Sequence, residues 1–204
     1  MRVALAARNI DKLTALTSET GAVALTCDAT EPAQVEKVFA EVSRKLGTPS
    51  VVVYNAGRRL RGAIEALDPD EVHRAWLASC FGGFLVGQHA ARAMLASGSG
   101  TILFTGATAS VKAFPQSAAF AIGKFGLRAL AQSMARELAP KNIHVAHVVI
   151  DGGIATSYAK TVQDHESDRF LDPDAIARQY LHLIRQDRSA WSWELELRPW
   201  TGSF

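Results

Sequence analysis

The sequence predicts an α/β fold, a doubly wound parallel sheet with helices on both faces. Short apolar runs of strand length alternate along the chain with longer segments of helical pattern. The strand segments are nearly continuous apolar runs, as expected of strands covered on both faces. Strands joined by helices in this order run parallel, with right-handed crossovers. A length of 204 residues suits one domain with a sizeable core.

Six segments have the composition of buried strands. They are residues 2–7, 22–26, 51–55, 101–105, 144–150 and 192–197. The fifth contains His144 and His147, and in a strand this spacing directs the two side chains to opposite faces. We therefore expect two partly exposed strand histidines there and no metal site.

Five segments between the strands have a helical pattern. They are residues 9–20, 31–46, 69–97, 117–139 and 173–186. Thr30 precedes Pro32 by two residues and Asp68 directly precedes Pro69, an arrangement that predicts a capping oxygen with a proline in the first helical turn. Gly47 and Gly98 predict helix ends. Because no repeat, linker or low-complexity segment interrupts the pattern, we expect residues 1–204 to form a single domain.

Composition narrows the class of partner. The formal net charge of +2 is too small to indicate a nucleic-acid partner. No apolar run approaches the roughly 18 residues that cross a bilayer, and the apolar stretch near Met1 is too short for a signal peptide. Cys27 and Cys80 form no Cys-x-x-Cys pair, which favours a reduced, cytoplasmic setting. The sequence thus predicts a protein that binds small molecules, with neither a membrane nor a nucleic acid as partner.

Small and polar residues follow the carboxyl ends of the predicted strands, where ligands bind in doubly wound sheets. They are Arg8, Asp28, Asn55-Ala56-Gly57, Gly106-Ala107-Thr108 and Asp151-Gly152-Gly153. A small-residue turn lets backbone approach a ligand, a carboxylate accepts hydrogen bonds, and a guanidinium suits phosphate. Taken singly, Asn55-Ala56-Gly57 is an ordinary turn and Arg8 a surface charge. Taken together, they favour one bound nucleotide.

From residue 2 almost to its end, the chain resembles the short-chain dehydrogenase/reductase family. Asn55-Ala56-Gly57 resembles the family's Asn-Asn-Ala-Gly turn, with Tyr54 in its first position. Asp28 and Ala29 resemble the strand end that meets the adenine. The resemblance implies a Rossmann-like fold and an oxidoreductase that acts on a small carbonyl or alcohol with a nicotinamide cofactor.

Two further segments resemble cofactor-binding parts of the family. Residues 151–156 are similar to its Pro-Gly segment, with aspartate replacing proline. The resemblance places Gly152, the backbone of Ile154 and the hydroxyl of Thr156 near the nicotinamide amide. Ala7 stands where an NAD-type site has an acid, and the guanidinium of Arg8 suits a 2′-phosphate. NADP is therefore expected rather than NAD.

The first departure from the family concerns its Gly-rich strand-turn-helix, which holds the pyrophosphate. The chain begins at what matches the family's second strand, and the absent strand belongs between those matching 2–7 and 51–55. We expect a truncation at Met1; otherwise the sheet closes over a gap. We also expect the chain as given to bind NADP weakly or not at all.

The second departure concerns the catalytic groups. In the family a tyrosine transfers a proton, and a lysine four residues later lowers the tyrosine pKa and binds the ribose. A serine binds the substrate oxygen, and an asparagine in the preceding helix holds a water. By the family's spacing the lysine is Lys124, while Phe120, Ala107 and Ser79 occupy the tyrosine, serine and asparagine positions. A phenyl ring transfers no proton, so the tetrad is degraded.

Some roles stay open. Lys124 either binds ribose or is an exposed helix lysine; its apolar surroundings favour the first, and Phe120 is alternatively a core ring. Thr108 and Ser110 either bind a substrate oxygen or cap a loop. Tyr158 either enters the pocket from a lid or packs within it.

Two functions follow from the resemblance and its departures. The first is an NADP-linked oxidoreductase with an unusual proton donor. The second is a catalytically inactive relative that binds a nucleotide or serves as an oligomeric scaffold. The family also implies self-association, as a homodimer or homotetramer, through the helices over 69–97 and 117–139.

Overall fold

The strands of the protein are paired in parallel throughout residues 1–155 and 168–202, which the computed structural model describes. The strands are β1 (Ala4–Ala7), β2 (Val23–Thr26), β3 (Val51–Tyr54), β4 (Gly100–Thr105), β5 (Ile143–Ile150), β6 (Gly153–Ile154), β7 (Phe170–Leu171) and β8 (Glu194–Leu197). This pairing confirms the predicted α/β class. Only the short pair β6–β7 has no counterpart among the predicted strands.

Helices connect these strands close to the predicted positions. They are α1 (Thr14–Thr20), α2 (Pro32–Leu46), α3 (Pro69–Trp76), α4 (Gly82–Ser97), α5 (Ala118–Leu138) and α6 (Pro173–Ile184). Asp68 caps α3 as expected, since its carboxylate accepts from the backbone N–H of Asp70 at 2.9 Å. Thr30 does not cap α2, because its hydroxyl donates to Asp28 at 2.8 Å and Glu31 takes the N-cap position.

The helix expected over 69–97 contains an irregularity. A π-helical turn, Leu77–Phe81, joins α3 to α4. Such turns are rare, and within α-helices they occur frequently at functional sites. Ser79 lies in this turn and is fully buried.

The strands form three sheets where a single sheet was expected. The largest has the order β3-β4-β5-β8, and the pairs β1-β2 and β6-β7 stand apart from it. The division falls between β1 and β3, where the family resemblance places another strand. Val53 of β3 is 44% exposed, whereas every residue of β5 is buried. Packing of α2 on α4 connects the β1-β2 pair to the four-stranded sheet, and the rings of Phe39 and His89 are stacked there with their centroids 5.4 Å apart.

Helices cover both faces of the four-stranded sheet. Phe104 of β4 packs in a cluster with Leu127 of α5, on the face covered by α4 and α5. The neighbouring Leu103 packs in a second cluster with Leu183 of α6, on the opposite face. Full burial of one such side chain contributes about 1.5–3 kcal/mol. The core therefore holds α5, which carries two of the four predicted catalytic positions, firmly against the sheet.

Both strand histidines are buried, contrary to the sequence expectation. The ring of His144 stacks on Trp191 with centroids 4.8 Å apart. Nδ1 of His147 lies 3.0 Å from Oε2 of Glu194. The segment around β8 supplies both partners, and its position beside β5 follows from the sheet order.

In residues 1–155 and 168–202, no helix has the length and apolar character needed to cross a membrane. No group of three or more His, Cys, Asp or Glu side chains in them is arranged to hold a metal ion.

Candidate functional site

Lys124 is the centre of the candidate site. It lies on α5 and is only 5% exposed. Its Nζ donates to the backbone carbonyl of Thr105, at the carboxyl end of β4, at 2.7 Å. Burial lowers the pKa of Lys124 to about 8. Among the residues the structure describes, no carboxylate forms an ion pair with it.

Three predicted site residues from three elements meet around one point. A Cβ placed on Gly57 would lie 3.4 Å from Nζ of Lys124 and 3.6 Å from Oγ of Ser79. The hydroxyl oxygen of Ser79 also accepts from the backbone N–H of Arg58 at 3.1 Å. Gly57, Ser79 and Lys124 therefore pack closely together beside the turn after β3. The ammonium and the hydroxyl are groups of the kind that bind ligand hydroxyls.

Phe120 flanks the lysine. Nζ of Lys124 lies 5.9 Å from the centre of the Phe120 ring, as expected for side chains one helical turn apart. The ring is half-buried. It gives the ammonium an apolar neighbour.

The hydroxyls near Ala107 already have partners within the protein. Oγ of Ser110 accepts from the backbone N–H of Ala107 at 3.1 Å. Thr108 donates to Oδ1 of Asp151 at 2.5 Å. Both contacts agree with the loop-capping alternative for these residues.

Asp151, at the position where the resemblance expects a proline, connects three strand ends. Its carboxylate accepts from Thr108 after β4 and lies 3.1 Å from Nη2 of Arg198 after β8. Its backbone N–H donates to the carbonyl of Leu197 at 2.8 Å. Proline has neither this N–H nor a carboxylate, so aspartate at this position adds two hydrogen bonds and an ion pair at the edge of the site.

The remaining predicted cofactor residues lie at carboxyl ends of strands, as expected. They are Arg8 after β1, Asp28 and Ala29 after β2, Asn55 and Ala56 after β3, and Gly152 and Ile154 after β5. A backbone hydrogen bond from Thr30 holds the pKa of Asp28 below its usual value, and the charge of Arg8 adds to this effect. The ends of β1 and β2 are therefore close together. Thr156 and Tyr158 lie outside the described residues.

These residues fit a nicotinamide dinucleotide in part. The exposed guanidinium of Arg8 suits a 2′-phosphate, and the ammonium of Lys124 beside Gly57 suits ribose hydroxyls. A phosphate cradle needs backbone N–H groups in a glycine-rich turn at a helix start. In the part of the chain that the structure describes, β1 is followed by Arg8-Asn9-Ile10, with no glycine before Gly21. The described residues therefore include groups suited to bind the ribose and the 2′-phosphate, but no glycine-rich turn suited to bind the pyrophosphate.

Sequence reasoning missed a charged cluster next to the site. Arg128 lies one turn after Lys124 on α5, and its guanidinium donates to both oxygens of Glu194 at 2.6 and 2.8 Å. Oε2 of Glu194 also meets Nδ1 of His147. The partners are 66 and 47 residues apart in the chain, so no local spacing signals the cluster.

The histidine of this cluster lies directly against the loop after β4. A Cβ on Gly106 would overlap Nε2 of His147, so this glycine leaves room for the ring. Burial lowers the pKa of His147 to about 4, although Glu194 opposes that shift. The imidazole is consequently neutral at pH 7.

Known proteins resemble this chain along most of its length. A family model described as enoyl-(acyl carrier protein) reductase matches residues 1–186. Carbonyl reductase family member 4 of Xenopus tropicalis is 26% identical over 190 residues, which cover 90% of this chain and 80% of that protein. The chain spans about half to three fifths of the length of seven other curated relatives.

Solved structures agree with this likeness. A short-chain dehydrogenase from Rhodopseudomonas palustris superposes with a TM-score of 0.85 and 37% identity, covering 98% of this chain and 87% of that one. A gluconate 5-dehydrogenase from Burkholderia cenocepacia, solved with NADP and tartrate, has a TM-score of 0.84 and 23% identity over 96% of this chain and 83% of that one. The second likeness supports the fold alone. From the family model and the Rhodopseudomonas palustris relative, we conclude that the chain belongs to the short-chain dehydrogenase/reductase family.

Proposed function

We propose that this protein is an NADP-linked oxidoreductase that interconverts a small carbonyl compound and its alcohol. The observation that supports the proposal most is the position of Lys124. Its buried ammonium packs beside Ser79 and Gly57 at the carboxyl edge of the strands. A lysine at this place binds ribose hydroxyls in the family. The curated relative named a carbonyl reductase also supports this class of reaction.

The cofactor would lie along the strand ends, and when bound its nicotinamide supplies or accepts the hydride. We assign the 2′-phosphate to Arg8, the adenine to Asp28 and Ala29, and the ribose to Lys124. The turn Asn55-Ala56-Gly57 would lie beside that ribose, while Gly152, Ile154 and Thr156 would meet the nicotinamide. Arg8 favours NADP over NAD because a guanidinium binds a phosphate through paired, charge-assisted hydrogen bonds.

The test is a titration followed by turnover. We expect NADPH to bind this chain with a Kd near the millimolar range, about −4 kcal/mol, because residues 1–155 and 168–202 show no glycine-rich backbone cradle for the pyrophosphate after β1. Calorimetry would measure this affinity. A micromolar Kd would contradict the expectation of weak pyrophosphate binding. No binding at several millimolar NADPH would contradict the proposed function.

Turnover and a matched variant complete the test. At millimolar NADPH, a panel of small ketones and quinones should be reduced, as followed by the loss of NADPH absorbance. Arg8→Ala should weaken NADPH binding several-fold and leave NADH binding unchanged. An equal loss for both cofactors would contradict the preference for NADP.

The inactive scaffold is the second candidate, and a specific observation favours it. Neither Phe120 nor Ala107 has a side-chain group that binds a carbonyl oxygen, and the hydroxyls of Thr108 and Ser110 have partners in the protein. Such a relative would bind NADPH and reduce none of the panel. Turnover therefore separates the two candidates.

We further propose that the chain is a single domain that self-associates in the cytoplasm as a homodimer or homotetramer. Large apolar side chains are exposed on the two long helices of the predicted interface. They are Phe84 and Leu95 on α4, and Ile122 and Phe125 on α5. Burying them against a second subunit would remove apolar surface from water. Both cysteines are free thiols, as a reducing compartment favours.

A further inference from the structure

We propose that a cavity at the amino end of β5 binds a small aromatic carboxylate. The cavity has a volume of about 260 Å³ and lies between the last two turns of α5 and residues 191–193, which precede β8. It borders His144 and Val145 at the start of β5, whereas the candidate site lies at the carboxyl ends of the strands. The two sites are therefore separate, and this proposal does not depend on the proposed reduction.

Two indole rings form the aromatic wall of the cavity. Trp191 and Trp193 both line it. The ring of His144 stacks on Trp191 with the two planes 5° apart, and the indole N–H of Trp191 donates to the carbonyl of Gln186 at 3.2 Å. The guanidinium of Arg128 lies 5.5 Å from the centre of the Trp193 ring. These contacts fix the indoles in place, so the wall is suited to pack against a flat ring.

The peptide groups of Val145 border the cavity without hydrogen bonds. Pairing of β5 with β8 begins only at His147, whose N–H donates to the carbonyl of Trp193 at 2.8 Å. Alternate residues of a parallel strand direct their backbone groups to the same side, so the N–H and C=O of Val145 point to this edge. In residues 1–155 and 168–202 no hydrogen bond engages either group, although Val145 is only 2% exposed. Buried backbone groups rarely stay unpaired, so this edge is suited to a bound molecule with hydrogen-bonding atoms.

Arg136 brings a positive charge to the cavity. It lines the cavity from the last turn of α5 and is exposed. The adjacent carboxylate of Glu137 pairs with Lys141 instead, at 3.5 Å. In the part of the chain that the structure describes, no carboxylate forms an ion pair with Arg136. A guanidinium binds a carboxylate through paired, charge-assisted hydrogen bonds.

Together these features define the class of ligand. An aromatic ring matches the indole wall, and a carboxylate matches both the charge of Arg136 and the N–H of Val145. The amide of Gln132 and the hydroxyl of Ser192 also line the cavity and are able to donate hydrogen bonds. The volume is slightly below the range of drug-sized sites, about 300–1,000 Å³, and so suits a compound of one or two rings.

The test uses benzoate as the probe and the indole N–H signals of ¹⁵N-labelled protein as the readout. At pH 7 we expect benzoate to shift the signals of Trp191 and Trp193 with saturation, at a Kd of about 1 mM or lower. The signals of Trp76 and Trp200, which lie outside the cavity, should not move. Each of the two responding signals is assigned by its absence in Trp191→Phe or Trp193→Phe.

Two related compounds separate the contributions of charge and ring. Benzamide has the aromatic ring without the negative charge, and cyclohexanecarboxylate has the charge without the aromatic ring. We expect each of them to bind about 5-fold more weakly than benzoate, or weaker still. Binding of benzamide as tight as that of benzoate would contradict the role of the carboxylate.

Arg136→Gln is the matched variant, because it removes the charge at an exposed position and keeps a long polar side chain. It should weaken benzoate binding about 3- to 10-fold and leave benzamide binding unchanged. Arg92→Gln, at an exposed arginine of α4, is the control and should bind benzoate like the wild type. Arg8→Ala should also bind it normally, since Arg8 belongs to the proposed cofactor site. Thermal melting would confirm that each variant folds.

Three results would overturn the proposal. The first is an absence of saturable shifts at Trp191 and Trp193 at benzoate concentrations well above 1 mM. The second is an equal loss of affinity in Arg136→Gln and in Arg92→Gln or Arg8→Ala, which would place the anion elsewhere. The third is a change of oligomeric state in Arg136→Gln without benzoate binding to the wild type, which would make this face an interface between copies. None of these measurements involves ketone reduction, so a failure of the proposed function would leave this site unaffected.

Discussion

Gly123 of α5 lies against Ser79 of the π-helical turn, so closely that a Cβ on Gly123 would stand 2.7 Å from the Cβ of Ser79. Real Cβ atoms do not approach this closely. The contact brings the turn against α5 and places the Ser79 hydroxyl beside Lys124. A glycine and an irregular helical turn together thus build one side of the candidate site.

The first prediction concerns this contact. Gly123→Ala adds a methyl group where none fits, an overpacking that typically costs about 1–3 kcal/mol. The gain in helix propensity, about 1 kcal/mol, offsets part of that cost. We expect a net loss of up to about 2 kcal/mol in the free energy of unfolding, measured with urea. Ser133→Ala, at an exposed position of the same helix, is the control and should change little. A variant as stable as the wild type would show that the turn moves aside freely.

The second prediction concerns pH. The pKa of His147 falls from an unfolded value near 6.5 to about 4 in the folded chain, so the unfolded state binds more protons between these values. Stability should therefore fall as the pH drops from 6.5 toward 4, by about 3 kcal/mol at most. Burial raises the pKa of Glu194, but its contacts with Arg128 outweigh this and lower it, which adds acid sensitivity in the same direction.

Unfolding experiments at pH 7 and pH 4.5 would measure this loss. His147→Gln removes the titrating group, so its stability should depend less on pH than that of the wild type. Equal pH dependence in the two proteins would mean that folding does not lower the pKa of His147.

The third prediction concerns Phe120 and Ala107. Phe120→Tyr places a phenol one helical turn from Lys124, whose positive charge favours the phenolate and lowers the phenol pKa. Ala107→Ser adds a donor for the substrate oxygen. With both changes, the rate of ketone reduction at millimolar NADPH should rise by up to about 10²–10⁴-fold, more than with either change alone. A faster unmodified protein would mean that Phe120 belongs to a different working site.

The fourth prediction concerns self-association. Ile122→Glu or Phe125→Glu places a charge among the exposed apolar side chains of α5 and should convert an oligomer to monomers in sedimentation velocity experiments. Leu181→Glu, a matched change at an exposed leucine of α6, should leave the oligomer intact. A wild-type monomer at high concentration would contradict the proposed interface.

The sequence by itself determined the α/β class, the approximate bounds of the helices and longer strands, and the residues at the strand ends. These properties follow from local patterns: apolar runs define buried strands, helical periodicity defines the connections, and parallel strands bring their carboxyl ends to one edge. The resemblance to a known family added Lys124 and Ser79 to the candidate site residues. The structure brings both to the same point beside Gly57.

Only the tertiary structure decided which side chains meet across the fold. The cluster of Arg128, Glu194 and His147, and the contact of Thr108 with Asp151, join residues 43 to 66 positions apart. The division of the sheet and the π-helical turn likewise leave no periodic signal. The physical reason is packing, because the order of the strands and the close approach of elements at glycines decide which side chains come into contact. Burial at these contacts then lowers the pKa values of Lys124 and His147.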